Sequence, residues 1–251
     1  MREARLGTAF GELALDYERV RPGWPDEAIE RASAGLRIPR EGPVADVGAG
    51  TGKLTRVLVE RFGEVWAVEP DERMRAVLAA SLPGARVVAG TAEAIPLADA
   101  SLAAVFIGDA FHWFEAARAV AELSRVLRAG GGVVLLWNDW WEVEPPLPER
   151  ALALLAEPFV RSGRAAAVAE ARPWQEAFAA APFTPFEELR IEWELVLVAR
   201  DLSALYLTTS SLASLPDAER PQLRARLLEH LAGDYRLPIT TRLYWAKRVG
   251  P

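Results

Sequence analysis

Between Val44 and Trp137 the chain alternates short apolar runs with amphipathic stretches. Val44–Val47, Val65–Val68, Arg86–Ala89, Leu102–Ile107 and Val133–Trp137 are each long enough for a strand and too short for a helix. Between them the apolar positions recur at helical spacing. Leu54, Val57, Leu58 and Phe62 share a face, Asp71 reads as the N-cap of a helix to about Ser81, and another helix spans about Glu115 to Leu127. Repeated βα units predict a parallel sheet flanked by helices. Val133–Trp137 is fully apolar, as a central parallel strand should be. Gly130-Gly131-Gly132 is expected to end the helix before it.

The flanks follow different patterns. Residues 1–40 read as a helical arm. Phe10, Leu13, Ala14 and Tyr17 share one face, Arg21-Pro22-Gly23-Trp24-Pro25 forces a turned path, and Asp26 is expected to cap a second helix to about Gly35. Residues 41–138 form the βα core. Residues 139–183 are punctuated by Trp and Pro and mostly helical, and Trp140, Trp141, Phe159, Trp174 and Phe178 give this insertion the apolar surface of a lid over an acceptor pocket. In 184–251, Leu189, Ile191, Trp193, Leu195 and Leu197 alternate with polar residues over a strand from Phe186 to Ala199. Leu202–Ala232 reads as helices and Ile239–Arg248 as a last strand. No internal repeat is present.

Composition narrows the function classes. The 251 residues carry a net charge of −6 and the arginines are scattered, which speaks against a nucleic-acid substrate. No apolar run approaches the ~20 residues of a membrane span. The first residues lack the apolar core of a signal peptide, so a cytoplasmic location is expected. Cysteine is absent and histidine is limited to His112 and His230, so no metal site is expected. Lys, Asn, Gln and Met are scarce and the positive charge rests on Arg, a bias reported for some thermophile proteins.

The chemistry concentrates in Val44–Thr55, VADVGAGTGKLT. Glycines at 48, 50 and 52 follow a strand and open a helix, so a ligand can approach the backbone there. The loop is not a P-loop, because Val47 stands five residues before Gly52 and Leu54 follows Lys53. Nor is it a dinucleotide fingerprint, since the spacing is GxGxG rather than GxGxxG. Glu69 ends the second strand, where a carboxylate can accept hydrogen bonds from both ribose hydroxyls.

The D-x-G-x-G-x-G pattern from Asp46 to Gly52 resembles motif I of the class I S-adenosylmethionine methyltransferases. F…Y…RPGWP at the start, GTAEAIP at 90–96 and Ala110-Phe111-His112-Trp113-Phe114 resemble the methyltransferase-11 type, near the trans-aconitate methyltransferase-like subgroup. The resemblance is close over residues 10–138 and holds in outline beyond. It implies an α/β, doubly wound, mostly parallel seven-stranded sheet with an antiparallel last strand, helical insertions forming a cap, and S-adenosylmethionine as cofactor. It implies cofactor contacts from Asp46, Gly48, Ala49, Gly50, Gly52, Glu69, Pro70, Met74, Thr91, Ala92, Asp109 and Phe111, with Tyr17 and Arg21 reaching the pocket from the arm. Thr91 replaces a commoner Asp, and Glu93 would orient its loop. The expected reaction is methyl transfer to a small molecule through an O, N or C atom, a carboxylate included. His112 is the candidate general base if the acceptor must lose a proton. A non-catalytic S-adenosylmethionine-binding regulator and an NAD(P)-dependent oxidoreductase are the alternatives.

Overall fold

In the computed structural model, residues 14–140, 147–161 and 174–250 are described; Phe10, Leu13 and Trp141 lie outside them. The strands are β1 (Val44–Val47), β2 (Val65–Val68), β3 (Arg86–Val88), β4 (Leu102–Gly108), β5 (Leu127–Asp139), β6 (Glu187–Val198) and β7 (Asp234–Lys247). They form one sheet in the order β3-β2-β1-β4-β5-β7-β6. β1 pairs in parallel with β2 and β4, β2 with β3, and β4 with β5, while β7 runs antiparallel to β5. The order reverses beside β1, at the point where an open α/β sheet leaves a crevice at its carboxyl edge.

The period of two sorts the strand side chains between the faces. Ala45, Val47, Val105, Ile107, Val133 and Leu135 enter one core, while Val44, Ala104, Phe106, Val134 and Leu136 enter the other. The helices are α1 (Ala14–Val20), α2 (Asp26–Leu36), α3 (Lys53–Val59), α4 (Glu72–Ser81), α5 (Ala116–Val126), α6 (Glu149–Arg161), α7 (Trp174–Phe178), α8 (Ala199–Leu207), α9 (Ser210–Ala213) and α10 (Glu219–Leu228). α5 buries Ala119, Val120, Leu123 and Val126 in the first core. α2 and α3 bury Ala28, Ile29, Ala32, Leu36, Leu54 and Leu58 in the second.

The chain divides into two compact units. The sheet unit comprises 23–139, 172–191 and 240–251; the helical unit comprises 1–22, 140–171 and 192–239. The helical unit has its own core, built from Val20, Trp140, Leu155, Leu202, Leu205, Leu223, Leu227 and their neighbours. α6 belongs to the helical unit, whereas Trp174 and Phe178 of α7 pack in the sheet unit, Trp174 stacking on Trp137 at 5.6 Å. Helices α8 to α10 separate β6 from β7 in sequence. No helix of the described residues is long and apolar enough to cross a membrane.

Two local expectations are corrected. Gly130–Gly132 do not end a helix: α5 stops at Val126, and the glycines lie inside β5. Leu102 faces Leu127 but Ala104 faces Gly132, so β5 carries extra residues against β4. A Cβ on Gly131 would come within 3.0 Å of the Ala103 carbonyl oxygen, and one on Gly132 would strike Leu36, so close packing explains these two, while Gly130 holds a positive φ. Asp26 is the first residue of α2 and not its cap; Pro25 holds that position with no side-chain hydrogen bond. Asp26 still places its charge favourably near the helix N-terminus. Asp71 does cap α4, accepting from the amides of Arg73 and Met74.

Candidate functional site

The turn after β1 is backbone closed upon itself. Gly48, Gly50 and Gly52 all have positive φ. The amides of Gly48 and Ala49 donate to the Val68 carbonyl at 2.9 and 3.1 Å, tying the loop to the end of β2. A Cβ on Gly48 would lie 2.7 Å from the Ala110 methyl, and one on Gly52 would lie 2.9 Å from Leu78 and Leu82. At Gly50 a Cβ would meet no protein atom within 4 Å. The middle glycine therefore faces open space, while its neighbours are packed against protein. Ala49 is buried with Ala67 and Leu78 behind the loop.

Two carboxylates flank this opening. Glu69 is buried, its Oε2 accepts the Gly50 amide at 2.9 Å, and its Oε1 accepts the Asp71 amide at 2.9 Å. Burial pushes the Glu69 carboxyl above the usual carboxylate range, and the two amides pull it back. Each oxygen retains capacity for a second hydrogen bond. Asp46 lies deeper and accepts from the Thr55 hydroxyl at 2.6 Å. Burial raises its carboxyl to about 7, with the Thr55 hydroxyl opposing and the Glu69 charge adding to the rise. Asp46 thus stitches β1 to α3 beneath the loop.

The next strand ends carry the other expected residues. Pro70 is exposed, Met74 is buried, and Arg75 bonds the Glu69 and Pro70 carbonyls at 2.9 and 2.6 Å. Beyond β3, Thr91 is exposed and Ala92 is buried in the first core. Glu93 accepts the Glu115 amide at 2.7 Å, which orients this loop as expected. Arg125 of α5 holds the same loop by the Ile95 and Leu97 carbonyls and by Asp99, and Glu122 takes the Ile95 amide.

Beyond β4 the backbone bends sharply. Asp109 has φ 49, a left-handed conformation that is uncommon outside glycine. Its Oδ1 accepts the Asn138 amide at 3.1 Å. Asn138 donates to the Gly23 carbonyl at 2.9 Å and accepts from the Thr241 hydroxyl at 2.6 Å. Trp24 fills the space over Gly108, where a Cβ would come within 2.6 Å of its ring. The sequence reading missed Trp24, Asn138 and Thr241. One signal was available: Asn138 is the chain's only asparagine and sits at the end of an apolar strand. Phe111 is buried between Phe114 and Phe178, each 5.6 Å away. His112 is exposed on the same 3-10 turn, its ring 5.1 Å from that of Trp113.

Asp46, the glycines and Glu69 are brought into one hydrogen-bonded group. Asp109 and Phe111 lie on the adjoining strand end. Tyr17 and Arg21 belong to the helical unit, where Arg21 bonds Thr208 and stacks over Tyr17.

Comparison with known proteins agrees with this arrangement. A family model described as a methyltransferase domain matches residues 45–135. An uncharacterised methyltransferase of Mycobacterium tuberculosis is 37% identical over 229 residues, covering 90% of this chain and 87% of its own. A malonyl-[acyl-carrier protein] O-methyltransferase of Methylococcus capsulatus is 40% identical over 134 residues, covering 50% of this chain and 48% of its own. Among solved structures, geranyl diphosphate C-methyltransferase of Streptomyces coelicolor, in complex with Mg2+, geranyl diphosphate and S-adenosyl-L-homocysteine, aligns with a TM-score of 0.51 at 16% identity, covering 88% of this chain and 78% of that one. The oxidoreductase and non-catalytic alternatives are thereby set aside: the chain belongs to the S-adenosylmethionine-dependent methyltransferases.

Proposed function

We propose that the chain methylates a small-molecule acceptor, with the nucleoside of S-adenosylmethionine seated on the Gly48–Gly52 loop. The observation that carries the reading is the gap at Gly50 beside Glu69. The middle glycine opens onto free space, and the adjacent buried carboxylate can accept one further hydrogen bond on each oxygen. A ribose offers two vicinal hydroxyls to such a pair of acceptors. Thr91 and Ala92 would flank the adenine with Met74 and Pro70, and Asp109 and Phe111 would border the methionine end.

When bound, S-adenosylmethionine supplies a methyl group already activated on a sulfonium. The chain's own work is then to hold two partners in line and keep water out. Asp46 and Thr55 fix the loop from below, and Arg125 and Glu93 fix the loop after β3. A carboxylate acceptor needs no base; a hydroxyl or amine acceptor would turn to His112. The net charge of −6 supports a small molecule over a nucleic acid. The Methylococcus relative, named for O-methylation, favours an oxygen acceptor.

The test is incubation with methyl-labelled S-adenosylmethionine and fractionated small metabolites, with RNA, DNA and protein as parallel acceptors. Label should appear in a small-molecule fraction. Label confined to a macromolecular fraction, or none anywhere from a protein that binds S-adenosylhomocysteine, would overturn the reading.

A further inference from the structure

An apolar face of the sheet ends on two polar side chains. Val134 and Leu136 of β5 and Leu243 and Trp245 of β7 enter the second core. The period of two continues these rows to Asn138 and Thr241, which lie opposite each other in the β5–β7 register. Both are buried. A side-chain amide and a hydroxyl in such a row cost stability unless each finds a partner. Thr241 donates its hydroxyl to Asn138 Oδ1 at 2.6 Å, and Asn138 Nδ2 donates to the Gly23 carbonyl at 2.9 Å. One side chain thus joins two strand ends to the segment that precedes α2.

That segment bears on the end of β4. Trp24 follows Gly23, is buried, and packs with Leu54 against Gly108, the last residue of β4. Asp109 comes next, with its left-handed backbone. Two bonds clamp it to β5: its backbone amide donates to the Leu136 carbonyl at 2.8 Å, and its Oδ1 accepts the Asn138 backbone amide at 3.1 Å. A residue other than glycine keeps such a conformation only where its surroundings over-determine it, and such residues gather at functional sites. Here the surroundings run through Asn138 twice, by its backbone to Asp109 and by its side chain to Gly23, next to Trp24. A leucine at 138 would continue the apolar row, yet it would strand the Gly23 carbonyl and the Thr241 hydroxyl. The polar residue serves geometry more than packing.

We propose that Asn138 is a positioning residue for the methyl donor. Through Gly23, Thr241 and its own backbone amide it fixes the turn at Gly108–Asp109, and with it the Asp109 carboxylate that faces the amino-acid part of S-adenosylmethionine. Thr241 holds the Asn138 side chain at the angle that reaches Gly23. All of these residues belong to the sheet unit. The inference rests on the reading that Asp109 borders the methionine end of the cofactor. It assigns Asn138 no contact with the reacting atoms; its effect passes through Asp109.

S-adenosylhomocysteine and 5′-methylthioadenosine share the nucleoside and differ in the amino-acid part. Each is titrated calorimetrically into the full chain, and the ratio of the two affinities is read. Asn138→Ala should weaken S-adenosylhomocysteine by ~10-fold or more and leave 5′-methylthioadenosine within about 2-fold of the natural protein. Thr241→Val should lower the ratio by a factor of about 3–10, and Thr241→Ser, which keeps the hydroxyl, should restore it. Equal weakening of both ligands in Asn138→Ala would assign the network to general stability and overturn the proposal. So would an unchanged ratio. If Asn138→Ala does not fold, Thr241→Val against Thr241→Ser decides by the same ratio. Asp109→Asn separates this inference from the reading beneath it, and should lower the ratio as well. A ratio lowered by Asp109→Asn but by neither Asn138→Ala nor Thr241→Val leaves the cofactor placement standing and sinks this inference alone. A ratio that Asp109→Asn does not move sinks the placement of the methionine end, and this inference with it. These titrations require no turnover, so the identity of the methyl acceptor does not enter.

Discussion

The glycine loop of the sheet unit and the Arg21–Tyr206 cluster of the helical unit are built from opposite materials. The loop is shaped by backbone. The Gly48 and Ala49 amides go to Val68, that of Gly50 to Glu69 and that of Gly52 to Ala49; the loop's shape depends on three positive-φ glycines, of which only Gly50 faces outward. The cluster is made of side chains, with Tyr17 and Arg21 at the end of α1 meeting Trp140, and Trp140 meeting Tyr206 of α8. Backbone made to fit one nucleoside tolerates little change, whereas side chains can be exchanged singly.

The largest effect should come from the loop. Gly50→Val should abolish S-adenosylhomocysteine binding, more than ~100-fold by calorimetry, with a loss of stability limited to the ~1–2 kcal/mol of a left-handed β-carbon. Gly52→Val should instead destabilise the fold, since its side chain would strike Leu78 and Leu82. If both variants melt alike and lose the ligand alike, the distinction between an outward and a packed glycine is wrong.

Glu69→Ala comes next. It should lose about 1.5–3 kcal/mol of cofactor affinity, the usual worth of hydrogen bonds to a charged group.

Asp46→Asn sharpens the comparison through pH. The folded carboxyl keeps its proton up to about 7, whereas the unfolded one loses it near ~4. Between those values the folded state binds more protons, so stability falls as pH rises through the window. For one carboxyl the slope cannot exceed about 1.4 kcal/mol for each step of pH. Urea midpoints across that range should decline less steeply in Asp46→Asn, whose amide carbonyl can still accept from Thr55. Equal slopes would mean that Asp46 is ionised in the fold.

His112→Gln should have the smallest effect. The side chain is exposed on its 3-10 turn. Turnover should stay within about 10-fold of the natural rate; a loss of ~10²–10⁴ would restore His112 as a general base and favour a hydroxyl or amine acceptor.

The two regions also differ in how far they could be read from the residues. Asp46, the three glycines and Glu69 fall within 24 positions, on elements whose period identifies them, and each has a narrow set of physical reasons to be what it is. Arg21 and Thr208 stand 187 positions apart, and nothing local links them. That the Tyr206 hydroxyl has no partner among the described residues cannot be seen in a sequence at all, because an unmet hydrogen bond is a property of the packed interior. The Gly130–Gly132 run was misread for a related reason. Three glycines after an amphipathic stretch are a good helix terminator, but tertiary approach of β4 and α2 decided the use of Gly131 and Gly132, and a left-handed backbone that of Gly130.

The position of β7 has a consequence for biogenesis. It lies between β5 and β6, although it follows both in the chain. As the polypeptide leaves the ribosome, β5 can join β4 at once, but its other side stays open until residues 240–247 emerge. That side belongs to an apolar strand with unpaired amides and carbonyls, the kind of edge that recruits stray partners. At translation speeds of ~5–20 residues per second the gap lasts on the order of ten seconds. A nascent chain of this protein is therefore most vulnerable to misassociation after its nucleotide loop has formed and before its sheet can be closed.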